Sequence, residues 1–238
     1  KKHKTGIIYC TTRAKCEDYA RRLNLEYYHA GLNTADRKKI QENWQNGISK
    51  VLVATVAFGM GIDNSQVRFV IHANLPQSLE QYYQEIGRAG RDSERADCYL
   101  FHTYSDKIVL QQMISRDEKK EAGFLKHQLN SLLEMYRFAN DLIRCKHQMI
   151  CHTFNEKISP CKNSCQNCSQ KNDTISQDVT ETAQAILNLL ITQPISRAKI
   201  RKLLKKSYPL VEEVTIHLIL NKYLKEEIVP NFSGFWSD

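Results

Sequence analysis

Five of the eight cysteines crowd into one short stretch of the chain, as Cys145, Cys151, Cys161, Cys165 and Cys168. The last three are spaced four and three residues apart, with Lys, Asn, Ser and Gln between them. Three thiolates so placed can reach one tetrahedral Zn²⁺, whereas reduced structural thiols would be expected among apolar neighbours. The stretch therefore predicts a structural zinc site that contributes folding energy directly.

A fourth zinc ligand has to come from outside this group of three. The candidates upstream are Cys145, His147, Cys151 and His152. A cysteine on a helix is equally able to face the apolar core as a small hydrophobic residue. Spacing alone leaves the choice open.

Two arginines, Arg88 and Arg91, stand three residues apart, and a glycine precedes each of them. Two planar guanidinium groups at a helix end can bind phosphate oxygens in a bidentate manner. The plain alternative is pairing with the nearby acids Glu85 and Asp92. The two glycines favour the phosphate interpretation, because a merely structural helix end does not need them.

A second glycine-containing segment follows the strand-like run at residues 50–54. There the turn Gly59-Met60-Gly61 is followed by Asp63. Glycine lets the backbone come close to a ligand, and Asp63 could accept hydrogen bonds from a ribose. By itself this pattern is weak evidence for a ligand site, because a Gly-x-Gly turn more often has only a structural role.

These segments together resemble helicase motifs. Residues 84–92, Gln-Glu-Ile-Gly-Arg-Ala-Gly-Arg-Asp, resemble motif VI of superfamily 2 helicases, and residues 53–63 resemble motif V. Residues 7–10 and 28–32 are similar to motifs IV and IVa. The residue sequences of these two segments resemble motifs V and VI in a form that is specific to RecQ DNA helicases, and they are most similar to the Bloom-type branch. The resemblance extends over essentially the whole chain and is stronger in the first 175 residues.

The resemblance implies a role for individual residues. It makes Arg91 the arginine finger to the ATP γ-phosphate and Arg88 a second phosphate contact. It selects Cys145 as the fourth zinc ligand. The nucleotide side would be shaped by Gly61, Asp63 and Gln84, and single-stranded DNA would face His29, Thr55 and neighbouring backbone amides.

The chain does not contain the phosphate-binding half of such a motor. No glycine is followed by lysine, and the one Asp-Glu pair, Asp117-Glu118, has no strand before it. The resemblance implies that a first lobe carries these parts, so ATP and Mg²⁺ would be shared with that lobe. We therefore expect a fragment of a longer protein, with negligible ATPase activity by itself.

The elements that must position the arginines alternate between strand and helix. Alternation of this kind predicts a parallel sheet with helices on both faces and ligand sites at the carboxyl ends of the strands. Ser78 and Gln81 predict a capping box at the start of the third helix. Strands are predicted at residues 6–10, 25–28, 50–54, 68–73 and 96–104, and helices at 12–23, 33–46 and 78–87.

The rest of the chain is predicted to form two further units. Residues 117–152 have helical spacing and lead into the cysteines, and residues 169–178 look like a linker. Helices at 180–192, 196–206 and 211–225, followed by the start of a hairpin, are the order of a winged helix. We therefore expect a RecA-like lobe at 1–116, a helical zinc-binding subdomain at 117–175 and a winged helix with an incomplete wing at 176–238.

The second helix of the predicted winged helix is basic. A run of this kind is often only a solvated face, but in a helix-turn-helix unit phosphate contact is the better interpretation. Glu212 and Glu213 near the start of the third helix would repel phosphate, so the second helix is the expected DNA contact. Its candidate DNA-binding residues are Arg197, Lys199, Arg201 and Lys202.

Composition agrees with a globular DNA-binding protein. The formal net charge is +8, and 42% of the 238 residues are hydrophobic. Disorder is not expected at this hydrophobic content, with 25% charged residues. A membrane-spanning helix is not expected, because no apolar run approaches roughly 18 residues. We expect an ATP-dependent 3′-to-5′ RecQ helicase of DNA repair and recombination, with single-stranded DNA, duplex DNA and the first lobe as partners. The alternative is a non-catalytic DNA-binding or regulatory module with a helicase-like lobe. The expected location is the nucleus in a eukaryote, otherwise the cytoplasm and nucleoid.

Overall fold

The chain forms two compact units, Lys1–Lys171 and Asn172–Asp238, in a computed structural model. The model describes residues 4–59, 64–116, 121–170, 178–191, 193–204, 208–221 and 223–224. The predicted hairpin after residue 227 lies outside this part of the chain. The boundaries of the three predicted domains stay a prediction.

The first unit starts with alternating strands and helices and ends in helices. Its elements are β1 (Thr5–Tyr9), α1 (Arg13–Leu23), β2 (Glu26–Tyr28), α2 (Thr34–Gln45), β3 (Val51–Ala54), β4 (Val67–His72), α3 (Leu79–Ile86), β5 (Asp97–Leu100), α4 (Tyr104–Ser115), α5 (Ala122–Asn140), α6 (Lys146–Thr153) and α7 (Gln166–Ser169).

The five strands form one sheet in the order β2-β3-β1-β4-β5, and every neighbouring pair is parallel. The central strand β1 pairs with two others, so that Ile8 is in register with Val53 on β3 and with Ile71 on β4. The predicted parallel sheet is therefore confirmed.

Alternate residues of β1 enter separate cores on the two faces of the sheet. Ile7 and Tyr9 pack with Trp44 of α2, whereas Ile8 packs with Cys16 of α1. Each fully buried side chain of this size contributes about 1.5–3 kcal/mol. The predicted helices on both faces are thereby confirmed.

The structure differs from the prediction at α4, which was not predicted, and in the cap of α3. The strand predicted to reach residue 104 ends at Leu100, because Thr103 and Asp106 form a capping box that opens α4. At α3, Ser78 Oγ accepts from the N–H of Gln81 at 3.2 Å as predicted. The side chain of Gln81 instead accepts from the N–H of Gln77, so the reciprocal half of that box is absent.

Helices of the zinc-binding region pack against the sheet domain. α5 contacts both α3 and α4, and α6 contacts α3. The ring centroids of Tyr82 on α3 and Phe138 on α5 lie 5.5 Å apart. This packing fixes the chain that leads into Cys145.

The second unit contains three helices around its own core. They are α8 (Thr180–Leu190), α9 (Arg197–Leu204) and α10 (Tyr208–Leu220). Their buried residues are Ile186, Ile200, Val211, Val214 and Leu218. α10 begins three residues before the prediction, and Pro209 in its first turn needs no intrahelical N–H partner. In the described part of the chain, none of the helices is long and apolar enough to cross a membrane.

Candidate nucleotide, DNA and zinc sites

Four cysteine sulfurs converge beside α6 and α7. Those of Cys145, Cys161, Cys165 and Cys168 all lie within 4.8 Å of one another. Zn–S bonds of about 2.3 Å in a tetrahedron place sulfurs about 3.8 Å apart, so a modest contraction fits the ion. The four sulfurs of this group therefore support a structural Zn²⁺.

Local backbone structure brings these cysteines together. Cys145 precedes α6 and Cys165 precedes α7, while Lys162 takes a left-handed φ of 63° in the turn between Cys161 and Cys165. The side-chain amide of Asn167 donates to the backbone carbonyls of Asp141 and Arg144, each at 2.8 Å. α7 is thereby tied to the loop that presents Cys145.

The electrostatics of the site favour a thiolate at Cys145. Burial raises the pKa of this thiol, but hydrogen bonds from the backbone N–H groups of Cys161 and Gln148, together with those of the Cys161 and Cys168 thiols, lower it to about 6. The N–H of Cys161 lies 3.4 Å from the Cys145 sulfur. Deprotonated sulfur is the form that binds metal.

The other candidates for the fourth ligand lie outside this group. Cys151 is half-buried on α6, and His147 and His152 are exposed on the same helix. Among the described residues, the sulfur group consists of the three downstream cysteines and Cys145.

The turn that carries Arg91 follows α3 and lies beside the start of β4. Gly90 adopts φ of 68° and donates its N–H to the carbonyl of Val67 at 3.1 Å. A Cβ at Gly90 would lie 2.9 Å from the Glu94 carbonyl oxygen, so only glycine fits. Arg91 therefore lies at the amino edge of the sheet, not at the carboxyl edge where ligand sites were expected, because the chain after β4 crosses back along the sheet.

The acids near the arginine pair have other partners. Glu85 Oε2 lies 2.7 Å from His72 Nε2, and Asp92 Oδ2 lies 2.5 Å from an Arg68 Nη. The hydrogen bond from Arg68 holds the pKa of Asp92 below its usual range. Glu85 and Asp92, the acids considered as partners of the two arginines, thus contact His72 and Arg68.

The two arginines differ in surroundings. Arg91 is exposed, and its Nε donates to the Gly87 carbonyl at 3.2 Å. Arg88 is half-buried, and its Nη2 would lie 2.8 Å from a Cβ on Gly59. The guanidinium group of Arg88 is thus packed against the glycine turn that follows β3.

Of the three other residues predicted to bind the nucleotide, the structure describes one. Gln84 is exposed on α3. Gly61 and Asp63 lie outside the described residues.

His29 and Thr55, predicted to face single-stranded DNA, are both buried, at 4% and 8% exposure. His29 Nε2 lies 2.9 Å from Glu17 Oε1, and its Nδ1 accepts from the N–H of Gly31. The N–H of Thr55 donates to the Tyr28 carbonyl at 3.0 Å. The side chain of His29 therefore holds the loop that carries it, whereas Thr55 ties its loop to β2 through its backbone.

The cations of α9 divide into two pairs. Arg197 and Arg201 contact the carboxylate of Glu212 on α10 at 2.9 and 3.6 Å. Lys199 and Lys202 are exposed. Glu212 therefore has a structural partner on α9 that its position in the sequence did not reveal.

Comparison with known proteins agrees with this geometry. The model of the Helicase conserved C-terminal domain matches residues 1–93, and the RecQ zinc-binding model matches residues 104–169. Among solved structures, Saccharomyces cerevisiae Dbp5 bound to RNA and ADP BeF3 gives a TM-score of 0.41 and 22% identity, over 55% of this chain and 39% of that one. A likeness of this size carries no argument about function.

Three relatives match most of the chain. The ATP-dependent DNA helicase hus2/rqh1 of Schizosaccharomyces pombe is 39% identical over 79% of this chain. ATP-dependent helicase SGS1 of Saccharomyces cerevisiae is 32% identical over 99% of it, and RecQ-like DNA helicase BLM of Xenopus laevis is 37% identical over 78%. The chain spans 15%, 19% and 15% of the lengths of these relatives. With a RecQ zinc-binding match, a four-cysteine group and these relatives, the chain belongs to the RecQ helicase family, as a segment of the Bloom type.

Proposed function

We propose that the chain is part of an ATP-dependent DNA helicase that moves 3′ to 5′ and acts in DNA repair and recombination. The observation that carries this proposal is the Gly90 turn, which exposes Arg91 three residues after the half-buried Arg88. Two relatives of much greater length are named an ATP-dependent DNA helicase and an ATP-dependent helicase, which supports the assignment. We also propose a nuclear location, because these relatives are proteins of eukaryotes.

The arginine pair would act on the phosphates of ATP. Arg91 is the arginine finger that stabilises charge on the transferring phosphoryl group, and Arg88 is a second phosphate contact. Gln84, Gly61 and Asp63 complete the nucleotide side. ATP and Mg²⁺ would be held jointly with a first RecA-like lobe, which supplies the phosphate-binding loop. This chain alone is expected to show negligible ATPase activity.

DNA would be bound at two places in the chain. Since the side chains of His29 and Thr55 are buried, their loops would contact single-stranded DNA through neighbouring backbone amides. On α9, Lys199 and Lys202 are exposed and suited to duplex phosphates, and Arg197 and Arg201 flank them. The zinc site would stabilise the subdomain that lies, in sequence, between these two DNA-binding segments.

The decisive experiment measures ATP hydrolysis and unwinding of forked DNA by the full-length protein. Arg91→Ala should lower the ATPase rate by roughly 10³- to 10⁵-fold without unfolding the protein. The matched control is Arg95→Ala, because Arg95 is an exposed arginine whose Nε lies 3.5 Å from Asp97. Wild-type protein that binds DNA without hydrolysing ATP would instead support the non-catalytic DNA-binding module.

A further inference from the structure

Strand β5 lies at one edge of the sheet. Among the described strands it pairs with β4 alone. Directly after the strand, the N–H of Phe101 donates to the His72 carbonyl at 2.8 Å. Because alternate residues of a strand direct their backbone groups to the same neighbour, every second residue before Phe101 also faces β4. The N–H and C=O groups of Cys98 and Leu100, which lie between them, therefore point toward the free edge.

This edge carries few of the features that keep other chains away. Proteins protect exposed edges with proline, bulges, inward-pointing charges, covering elements or very short strands. β5 is short, with four residues, but it contains no proline, and its register with β4 shows no shift from Phe69 to His72. Its outward backbone groups are thus able to pair with a further strand.

A cleft of about 580 Å³ lies along this edge. Residues 95–100 line it on the side of the sheet, and the end of α5, the start of α6 and the turn before α7 line it on the side of the cysteines. Ligand sites of proteins have volumes of roughly 300–1,000 Å³. The cleft therefore has room for a short extended segment, which would lie about 4.8 Å from β5.

The lining of the cleft combines apolar and basic side chains. Apolar side chains come from three helices, as Ile86 of α3, Phe138 of α5 and Ile150 of α6. Phe138 and Ile150 are almost fully buried, with exposed fractions of 3% and 7%. An occupant could thus bury apolar side chains against an ordered wall.

Charge in the cleft favours an acidic occupant. Among the described residues that line it, Asp97 is the acid, and the bases are Arg95, Lys146 and His147. The carboxylate of Asp97 already contacts Arg95 at 3.5 Å and Lys4 at 4.0 Å. The Arg95 side chain is 92% exposed, so it remains accessible to a second carboxylate.

We propose that the free edge of β5 binds an extended acidic segment of another protein as an added strand. The backbone groups of Cys98 and Leu100 would supply the main-chain hydrogen bonds. Successive side chains of a strand point to opposite faces, so apolar residues at alternate positions would meet the apolar wall, and acids between or beside them would lie near Arg95. This inference does not rest on the proposed function, because it involves neither ATP nor DNA.

A library of random nine-residue peptides displayed on phage tests the proposal on the zinc-loaded full-length protein. Selected sequences should alternate apolar and acidic residues. Cys98→Pro should select none of them, because proline removes the outward N–H while the neighbouring residues keep their bonds to β4. Unchanged hydrogen exchange of β4 in this variant shows that the sheet is intact. Failure to enrich such peptides, or equal enrichment on both proteins, would overturn the proposal.

Reversal of one charge provides a second test that leaves the backbone unchanged. Arg95→Glu should weaken binding of a selected acidic peptide by about 10-fold, and the same peptide with lysine for each acid should bind this variant more tightly than wild type. Arg21→Glu is the matched control, because Arg21 is an exposed arginine on α1 that contacts Asp18. Fluorescence anisotropy measures both affinities, and equal effects of the two substitutions would contradict the role of the cleft.

Hydrogen exchange followed by mass spectrometry locates the bound peptide. The amides of residues 96–101 should gain protection in the complex, whereas those of β2 at the opposite edge should not change. Protection of another segment instead would overturn the proposal. So would a dimer of the peptide-free protein in size-exclusion chromatography that Cys98→Pro abolishes, since a second copy of the chain would then occupy the edge.

Discussion

Cys145 shows how a single residue is assigned only when the chain is folded. In sequence it competes with Cys151 and two histidines, all within reach of the three downstream cysteines. In the structure its sulfur joins the other three, while Cys151 lies on α6 outside the group. The difference arises from the direction of α6, which starts directly after Cys145.

The zinc content of two single variants checks this assignment. Cys145→Ser should lose stoichiometric zinc, because serine does not replace a thiolate ligand. Cys151→Ser should retain one zinc per chain and serves as the matched control. Metal analysis of both purified proteins makes the comparison, and a full zinc content in Cys145→Ser would contradict the assignment.

Gly90 is the residue on which the arginine turn depends. Gly90→Ala should destabilise the first unit by about 1–2 kcal/mol, because a side chain is strained at a positive φ. The contact with the Glu94 carbonyl, 2.9 Å from the added Cβ, acts in the same direction. Urea unfolding measures the effect.

Gly123→Ala provides a control of opposite sign. Gly123 lies within α5, and the nearest atom to an added Cβ is Glu121 Oε1 at 4.0 Å. Gly123 is the second residue of α5, so alanine there should be favoured over glycine by less than the roughly 0.5–1 kcal/mol of a helix interior. Equal destabilisation by both substitutions would show that strain at Gly90 is not the cause.

Strands and helices of the sheet domain could be predicted because each shows its own periodicity. β1, α1 and β3 lie within one or two residues of the predicted bounds. α4 was missed, since the aromatic run after β5 reads as strand and the helix start depends on the pair Thr103 and Asp106. Tyr9 and Glu85 lie within the segments that resemble motifs IV and VI, but their meeting with His72 of β4 is a long-range contact that no local pattern predicts.

Helix α9 combines two functions that salt dependence can separate. Lys199→Ala with Lys202→Ala should weaken duplex binding and reduce the slope of log affinity against log salt by about 0.9 for each lost phosphate contact. The stability of the second unit should hardly change, because both lysines are exposed. Binding titrations of the full-length protein on duplex DNA at several salt concentrations measure the slope.

Arg197→Ala is the matched comparison on the same helix. It removes a partly buried contact with Glu212, so its main effect should be a loss of about 1 kcal/mol in stability of the second unit. An unchanged salt slope in the double lysine variant, with a reduced slope in Arg197→Ala, would contradict the division of α9 into structural and DNA-binding cations.

Across the whole chain, order in the zinc-binding region has a different source from order elsewhere. The sheet domain and the second unit each have their own apolar clusters, and none of the four clustered cysteines belongs to them. By contrast, α6 buries only Ile150 among its residues, and α7 has four residues, none of them buried. So little apolar burial does not offset the entropy of ordering this segment, and the metal must supply the difference.

Removal of zinc should therefore unfold residues 145–169 locally and leave the rest of the chain folded. After chelation, confirmed by metal analysis, amides of α6 and α7 should exchange hydrogen rapidly. Those of β1 and β3 and of the second unit should keep most of their protection, because their cores do not include the metal. Hydrogen exchange followed by mass spectrometry resolves these segments. Loss of protection throughout the sheet would show that the metal holds the entire first unit together.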